Sequence, residues 1–140
     1  MSLQQIKSDL ETFLRTNLTT VAIKFKNTNY YELNGVPLTE TQINALTTFV
    51  QPNISSISSD IEILNTVDNT NYLGLFEFLI YAKKGTGTGG MYTIGDALKT
   101  AFKKQTINGI KTLNFSYEND QESGEWIILP CSISCQKWSD

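Results

Sequence analysis

The sequence contains no histidine. That absence removes the usual general base at neutral pH, the Ser-His-Asp and Cys-His arrangements, and most transition-metal sites. Cysteine is nearly as scarce. Cys131 and Cys135 are the only two, four apart in what reads as a strand, so their Cα atoms should lie about 13 Å apart, beyond the roughly 7 Å limit of a disulfide. They read as reduced core residues, and as a zinc pair they lack two further ligands. Charge is thin as well: 18% of residues, 11 basic against 14 acidic, for a net −3. No block of like charge exceeds Lys83-Lys84 or Lys103-Lys104, so the basic stripe that nucleic-acid binding needs is missing. No apolar run approaches the roughly 18 residues of a membrane span. Lys7, Asp9, Glu11 and Arg15 interrupt the opening residues, which therefore do not read as a signal peptide, and a soluble protein made in a cytosol is expected.

What is present suits one domain spanning 1–140. A chain of 140 residues that is 40% hydrophobic and 11% aromatic can fill a single core. Its polarity comes mainly from 17 Thr, 12 Asn and 11 Ser. The surface should be largely neutral, which tolerates burial against other subunits.

Ser2 with Gln5 forms a capping-box pattern, and Leu3, Ile6, Leu10, Phe13 and Leu14 recur at helical spacing, predicting an amphipathic helix over 3–16. Val21, Ile23 and Phe25 alternate with Ala22, Lys24 and Lys26 as a half-buried strand. Residues 27–71 are ambiguous. Asn34-Gly35 suits a tight hairpin turn, while Thr39 to Gln42 with Ile43, Leu46 and Val50 suits a short capped helix. Phe49 to Ile54 and Ile61 to Leu64 read as strands, and Asn65 to Asn71 as a loop.

From Tyr72 the pattern sharpens. Phe76, Phe78, Ile80 and Ala82 alternate with Leu75, Glu77, Leu79 and Tyr81 in a central strand. After a glycine-rich turn, Met91, Ile94, Ala97, Leu98, Ala101 and Phe102 return to helical spacing, predicting a helix over about 91–103. Leu113, Phe115 and Tyr117, then Ile127, Leu129, Cys131, Ile133 and Cys135, keep period two around Asn119 to Gly124, the signature of a long hairpin. Pro130 cannot donate to a ladder, so its strand should be an edge or bulge there. The expected fold is α+β: a mixed, mostly antiparallel sheet, two amphipathic helices on one face and a long C-terminal β-hairpin. Trp126, Ile128, Leu75, Leu79 and Tyr81 then fall on the other face, to be covered by a partner subunit or by the 27–71 segment.

Two constellations invite a chemical reading. Gly85, Gly87 and Gly90 match G-x-G-x-x-G between a strand and a helix, where backbone N–H groups can hold phosphate. The acid of a dinucleotide site should follow about 20 residues on, but Gln105 and Thr106 stand there, and Met91 and Tyr92 replace a Walker lysine. A connecting turn is the better reading, and no nucleotide or other cofactor is expected. Glu118, Asp120, Glu122 and Glu125 cluster at the hairpin tip, too exposed for a catalytic pair and without the spacing of a calcium loop. Neither catalysis nor a metal site is expected. Candidate partner contacts are Asn119, Asp120, Glu122 and Glu125 at this projecting tip, Lys83 and Lys84 before the glycine turn, and the aromatic side chains of Tyr30, Tyr31 and Trp126. Trp138 is a further stacking candidate.

Gly74 to Tyr81, Lys84-Gly85-Thr86-Gly87, Ile94-Gly95-Asp96-Ala97-Leu98 with Phe102, and Gly124 to Ile133 together resemble bacteriophage tail terminator proteins of the U-like minor tail protein group. The shared pattern is an aromatic strand, a Gly-x-Gly turn, a small-residue helix and a final hairpin with a proline. With the opening helix and strand it covers about two thirds of the chain, and residues 27–71 depart from it. The resemblance implies a non-enzymatic virion protein, assembled in the host bacterial cytoplasm, whose subunits form a ring, usually of six. Such a ring caps the finished tail tube, stops polymerisation and meets the neck or stopper protein, and also the sheath end where a tail contracts. DNA would pass its lumen without specific binding. A neck stopper or head-completion ring is the alternative within the same assembly, and a phosphate-binding enzyme using the Gly85–Gly90 turn is the alternative outside it.

Overall fold

The computed structural model describes residues 3–25, 30–64, 67–87 and 89–139, with the backbone alone for residues 3, 55–64, 67–73, 138 and 139. Among the described residues, three helices and nine strands follow in the order α1 (Leu3–Asn17), β1 (Ile23–Lys24), β2 (Tyr31–Leu33), β3 (Val36–Pro37), α2 (Glu40–Asn44), β4 (Thr48–Leu64), β5 (Val67–Lys83), α3 (Gly89–Phe102), β6 (Thr106–Ile107), β7 (Ile110–Tyr117), β8 (Gln121–Ser123) and β9 (Trp126–Ser139). All strands join one sheet in the order β3-β2-β1-β4-β5-β9-β7-β6, and β8 pairs with the start of β9. Every pairing is antiparallel except β1 with β4.

Alternation along β5 decides the layers. Phe76, Phe78, Ile80 and Ala82 are buried and share a face with Val50 of β4 and Leu129, Cys131 and Ile133 of β9. Both long helices lie on that face. α1 contributes Ile6, Leu10 and Leu14, α3 contributes Met91, Ile94, Leu98 and Phe102, and all belong to one core. Phe102 joins the layers, its ring 5.0 Å from Phe13, 5.8 Å from Phe76 and 5.1 Å from Phe78. α1 ends where the Asn17 side chain bonds the Phe13 carbonyl at 2.9 Å, a local alternative to continuing the backbone ladder. Ser2, the proposed cap of α1, lies outside the described residues, and so does the side chain of Trp138.

Both readings of residues 34–46 hold, one after the other. Asn34 and Gly35 have φ of 52° and 79°, as the tight turn between β2 and β3 requires. Thr39 then caps α2 in a reciprocal capping box with Gln42. The loop expected from Asn65 to Asn71 is corrected: β5 begins at Val67 and pairs with β4 in continuous register from Leu64↔Val67 to Ile57↔Gly74. The two short strands expected over 49–64 are one strand of 17 residues.

Pro130 is also corrected. β9 is an interior strand, with β5 on one side and β7 and β8 on the other. The Pro130 carbonyl accepts from the Glu118 N–H at 2.9 Å. A strand residue's N and O point to the same side, so the missing donor faces residues 118–120, the break between β7 and β8. The sheet tolerates the proline because its partner strand is interrupted there.

Two buried polar groups fasten the periphery. Glu32, 3% exposed, accepts from Arg15 Nε at 2.5 Å, and the same guanidinium lies 4.5 Å from the Phe25 ring centre, tying α1 to β2. Thr112 donates through its hydroxyl to the Phe102 carbonyl and accepts from the Gln105 N–H at 2.8 Å, occupying backbone groups that the end of α3 would otherwise leave unpaired.

Candidate functional site: a partner-facing surface

The glycine-rich turn is the enzyme-like motif, and part of its backbone is bonded within the chain. Gly85 and Gly87 adopt φ of 88° and 84°, conformations that favour glycine. The Lys84 N–H donates to the Glu125 carbonyl at 2.8 Å, and the Thr86 N–H to the Lys83 carbonyl at 3.3 Å. The Thr86 hydroxyl reaches that same Lys83 carbonyl at 2.6 Å. This turn ties the end of β5 to the β8–β9 turn.

The candidate contact residues divide into two groups. Lys83, Lys84, Glu122, Glu125, Trp126 and Tyr31 gather at one end of the sheet. Lys83 pairs with Trp126 across the β5–β9 ladder, and Lys84 Nζ lies 3.4 Å from Glu122 Oε2. Tyr31 belongs to an aromatic group on the face away from α1 and α3: Phe49 stacks on Tyr81 at 4.4 Å and meets Tyr31 at 5.3 Å and Trp126 at 5.0 Å. Burial, with Tyr31 alongside, raises the Tyr81 phenol above its ordinary value. Ile43, Asn44 and Leu46 line the same depression as Tyr31, Phe49, Lys83, Glu125 and Trp126. Part of the 27–71 segment, including α2, therefore covers this end of the face away from α1 and α3.

Asn119 and Asp120 lie apart from that group. They line a second depression with Glu118, Tyr92, Asp96, Tyr117 and Leu129. The Tyr117 hydroxyl donates to the Gly95 carbonyl at 3.1 Å. Its phenol is raised by burial first, then by Asp96 and Cys131 nearby. The seven residues from Asn119 to Glu125 do not form one projecting tip: the Glu125 end is held against the β5–α3 turn, and β8 lies along β9. Tyr30, 41% exposed, precedes β2 at the sheet margin. Sequence reading put Tyr81 on the same face as Trp126 but missed Phe49 of β4 and Tyr92 and Asp96 of α3 as parts of these groups, because only the tertiary arrangement brings them beside the strands concerned.

Along the middle of the face away from α1 and α3, Leu75, Leu79 and Ile128 are half-buried. Among the described residues no group of three or more His, Cys, Asp and Glu side chains is placed to hold a metal ion, and no helix is long and apolar enough to cross a membrane.

Both cysteines are buried and free. Burial pushes the Cys131 thiol up from 9.0 to about 12, and Cys135 to about 11 against a weak opposing bond from the Phe76 backbone. Both thiols should resist an alkylating reagent in the native state at pH 8 and react fully in denaturant. The same shifts set a sign for pH. The unfolded chain ionises its thiols near pH 9 while the folded one holds its protons, so stability is unaffected below that pH and falls as pH rises toward 11 to 12. A denaturant titration repeated at increasing pH would measure it.

No family model matches the chain, and no curated protein matches it. Among solved structures, one protein whose name states no function superposes with a TM-score of 0.66 over 97% of this chain and 95% of its own, at 15% sequence identity. This likeness shows that the fold occurs elsewhere, and it concerns the fold alone.

Proposed function

We propose that this chain is a tail terminator: a structural subunit that assembles into a ring of six, caps a completed phage tail tube and joins it to the neck. The observation that carries the reading is the face of the sheet away from α1 and α3. Phe49, Tyr81 and Trp126 pack together at one end of it, partly under Ile43, Asn44 and Leu46, and half-buried Leu75, Leu79 and Ile128 carry apolar side chains along its middle. The apolar side chains outside that cover suit burial against further protein. The quoted sequence pattern supports the same reading. In this role the protein has no catalytic group and no cofactor, resides in the virion, and contacts the tube on one side and the neck on the other. The net charge of −3 per chain gives the ring no basic lumen to retain passing DNA.

Removing the gene from its phage is the direct genetic test. Tubes of uncontrolled length without attached heads support the proposal. Tubes of normal length that fail to join heads would assign the neck-stopper role instead, and infectious particles of normal form would contradict both.

A further inference from the structure

We propose that copies of this chain associate head to tail, the β2–β3 hairpin of one copy entering the depression between α3 and the end of β7 on the next. The contact deepens the ring of the proposed function and rests on that reading for the number of subunits, but its residues come from a separate observation. Among the described residues the exposed large apolar side chains are Tyr30, Leu33 and Val36 at one edge of the sheet and Tyr92, Leu113 and Tyr117 at the other. Two unlike apolar patches on opposite edges suit a repeating contact, in which each copy gives one patch and receives on the other.

The hairpin is the knob. Asn34 and Gly35 close it in two residues. Leu33 lies two residues beyond Tyr31, on the face away from α1 and α3, and Val36, 63% exposed, pairs with it. The depression is the hole. It holds about 360 Å³ on the helix-bearing face, where Tyr92 and Asp96 of α3 meet Tyr117 and Leu129, and it opens at the break between β7 and β8. β6 stays clear of it, reaching only Ile110 and Lys111 at the other end of β7. Leu113, set on the opposite face by the bulge in β7, takes no part.

One row of paired residues spans the sheet from knob to hole. Glu32, next to Leu33, pairs with Ile23, Ile23 with Val50, Val50 with Ile80, and Ile80 with Leu129. The two sites therefore stand at the same height along the strands and on opposite faces. Neighbouring copies can overlap edge over edge without shifting along the strands, and a repeat without that shift closes into a ring where a shifted one climbs into a filament. Charge agrees with the fit. Asp96, Glu118 and Asp120 rim the depression, and Lys24 shares the hairpin's face through its pairing with Tyr31. None of the four has an ion-pair partner among the described residues.

Light scattering of the purified chain at high protein concentration should give a mass well above the 15.7 kDa of one chain. Val36→Asp sets a carboxylate against the acidic rim, and Tyr92→Asp removes a wall of the depression. Each variant should be monomeric with the wild-type melting temperature, since both side chains are exposed. Mixed in equal amounts, the two should form pairs and nothing larger, because the intact hairpin of the Tyr92→Asp chain fits the intact depression of the Val36→Asp chain while the other two sites are spoiled. Recovery of the pair also excludes misfolding as the cause of either loss. A monomeric wild-type chain, an assembly indifferent to both substitutions, or a mixture that stays monomeric would overturn the contact. An indifferent assembly would leave a ring built on other surfaces, whereas variants that behave as expected, beside tubes that the wild-type chain fails to stop, would overturn the tail role and uphold the contact.

Discussion

Replacing Phe102 by alanine should lower the free energy of unfolding by about 3–5 kcal/mol, the range for deleting a buried aromatic ring. Phe102 is wholly buried and touches Phe13 of α1 and both Phe76 and Phe78 of β5. Its ring is thus the common contact of the two helices and the central strand. Its carbonyl also receives the Thr112 hydroxyl, so loosening the last turn of α3 would disturb a buried polar bond as well. Urea titration should show an earlier midpoint with little change in slope. A midpoint within error of the wild type would mean that α3 is not packed as described.

Leu10→Ala should cost about 2–5 kcal/mol and reduce soluble yield. Leu10 is 1% exposed and borders a small pocket of about 20 Å³ shared with Ile6, Ile54, Phe76, Ile110 and Cys135. Truncation enlarges a space that already exists, and the Phe76 ring beside it is held by other rings and cannot readily collapse inward. Assembly should fail only through lost stability. If Leu10→Ala kept its melting temperature while abolishing tube capping, the buried face of α1 would instead be an assembly surface.

The helices and the central strand were legible because one period runs through each without interruption. Leu10 and Leu14 follow the 3.6-residue repeat, and Phe76, Phe78 and Ile80 the two-residue repeat. The β4–β5 hairpin was not legible, for two physical reasons. A bulge between Ile54 and Ser56 shifts the register by one residue, so no single alternation runs through β4. Asp68, Asn69, Thr70 and Asn71 have the composition of a loop, but their ladder with β4 overrides that preference. The Asn34-Gly35 turn and the Thr39 cap were each readable from local chemistry.

The candidate surface was less legible than the fold. Aromatic residues at 31, 49, 81 and 126 meet only because β2, β4, β5 and β9 carry them to one end of the face away from α1 and α3, and no local pattern encodes strand order. Pro130 misled for a related reason: its tolerance depends on a break in a neighbouring strand.

If the chain ends tube growth as proposed, the most direct measurement is electron microscopy of cognate tube protein polymerised with and without it. With the chain present, tubes should stop at a fixed length distribution, each bearing at one end a ring of six subunits, while tubes without it continue to elongate. Tubes of the same length in both samples, with no added density at either end when the chain is in excess, would contradict the proposed role.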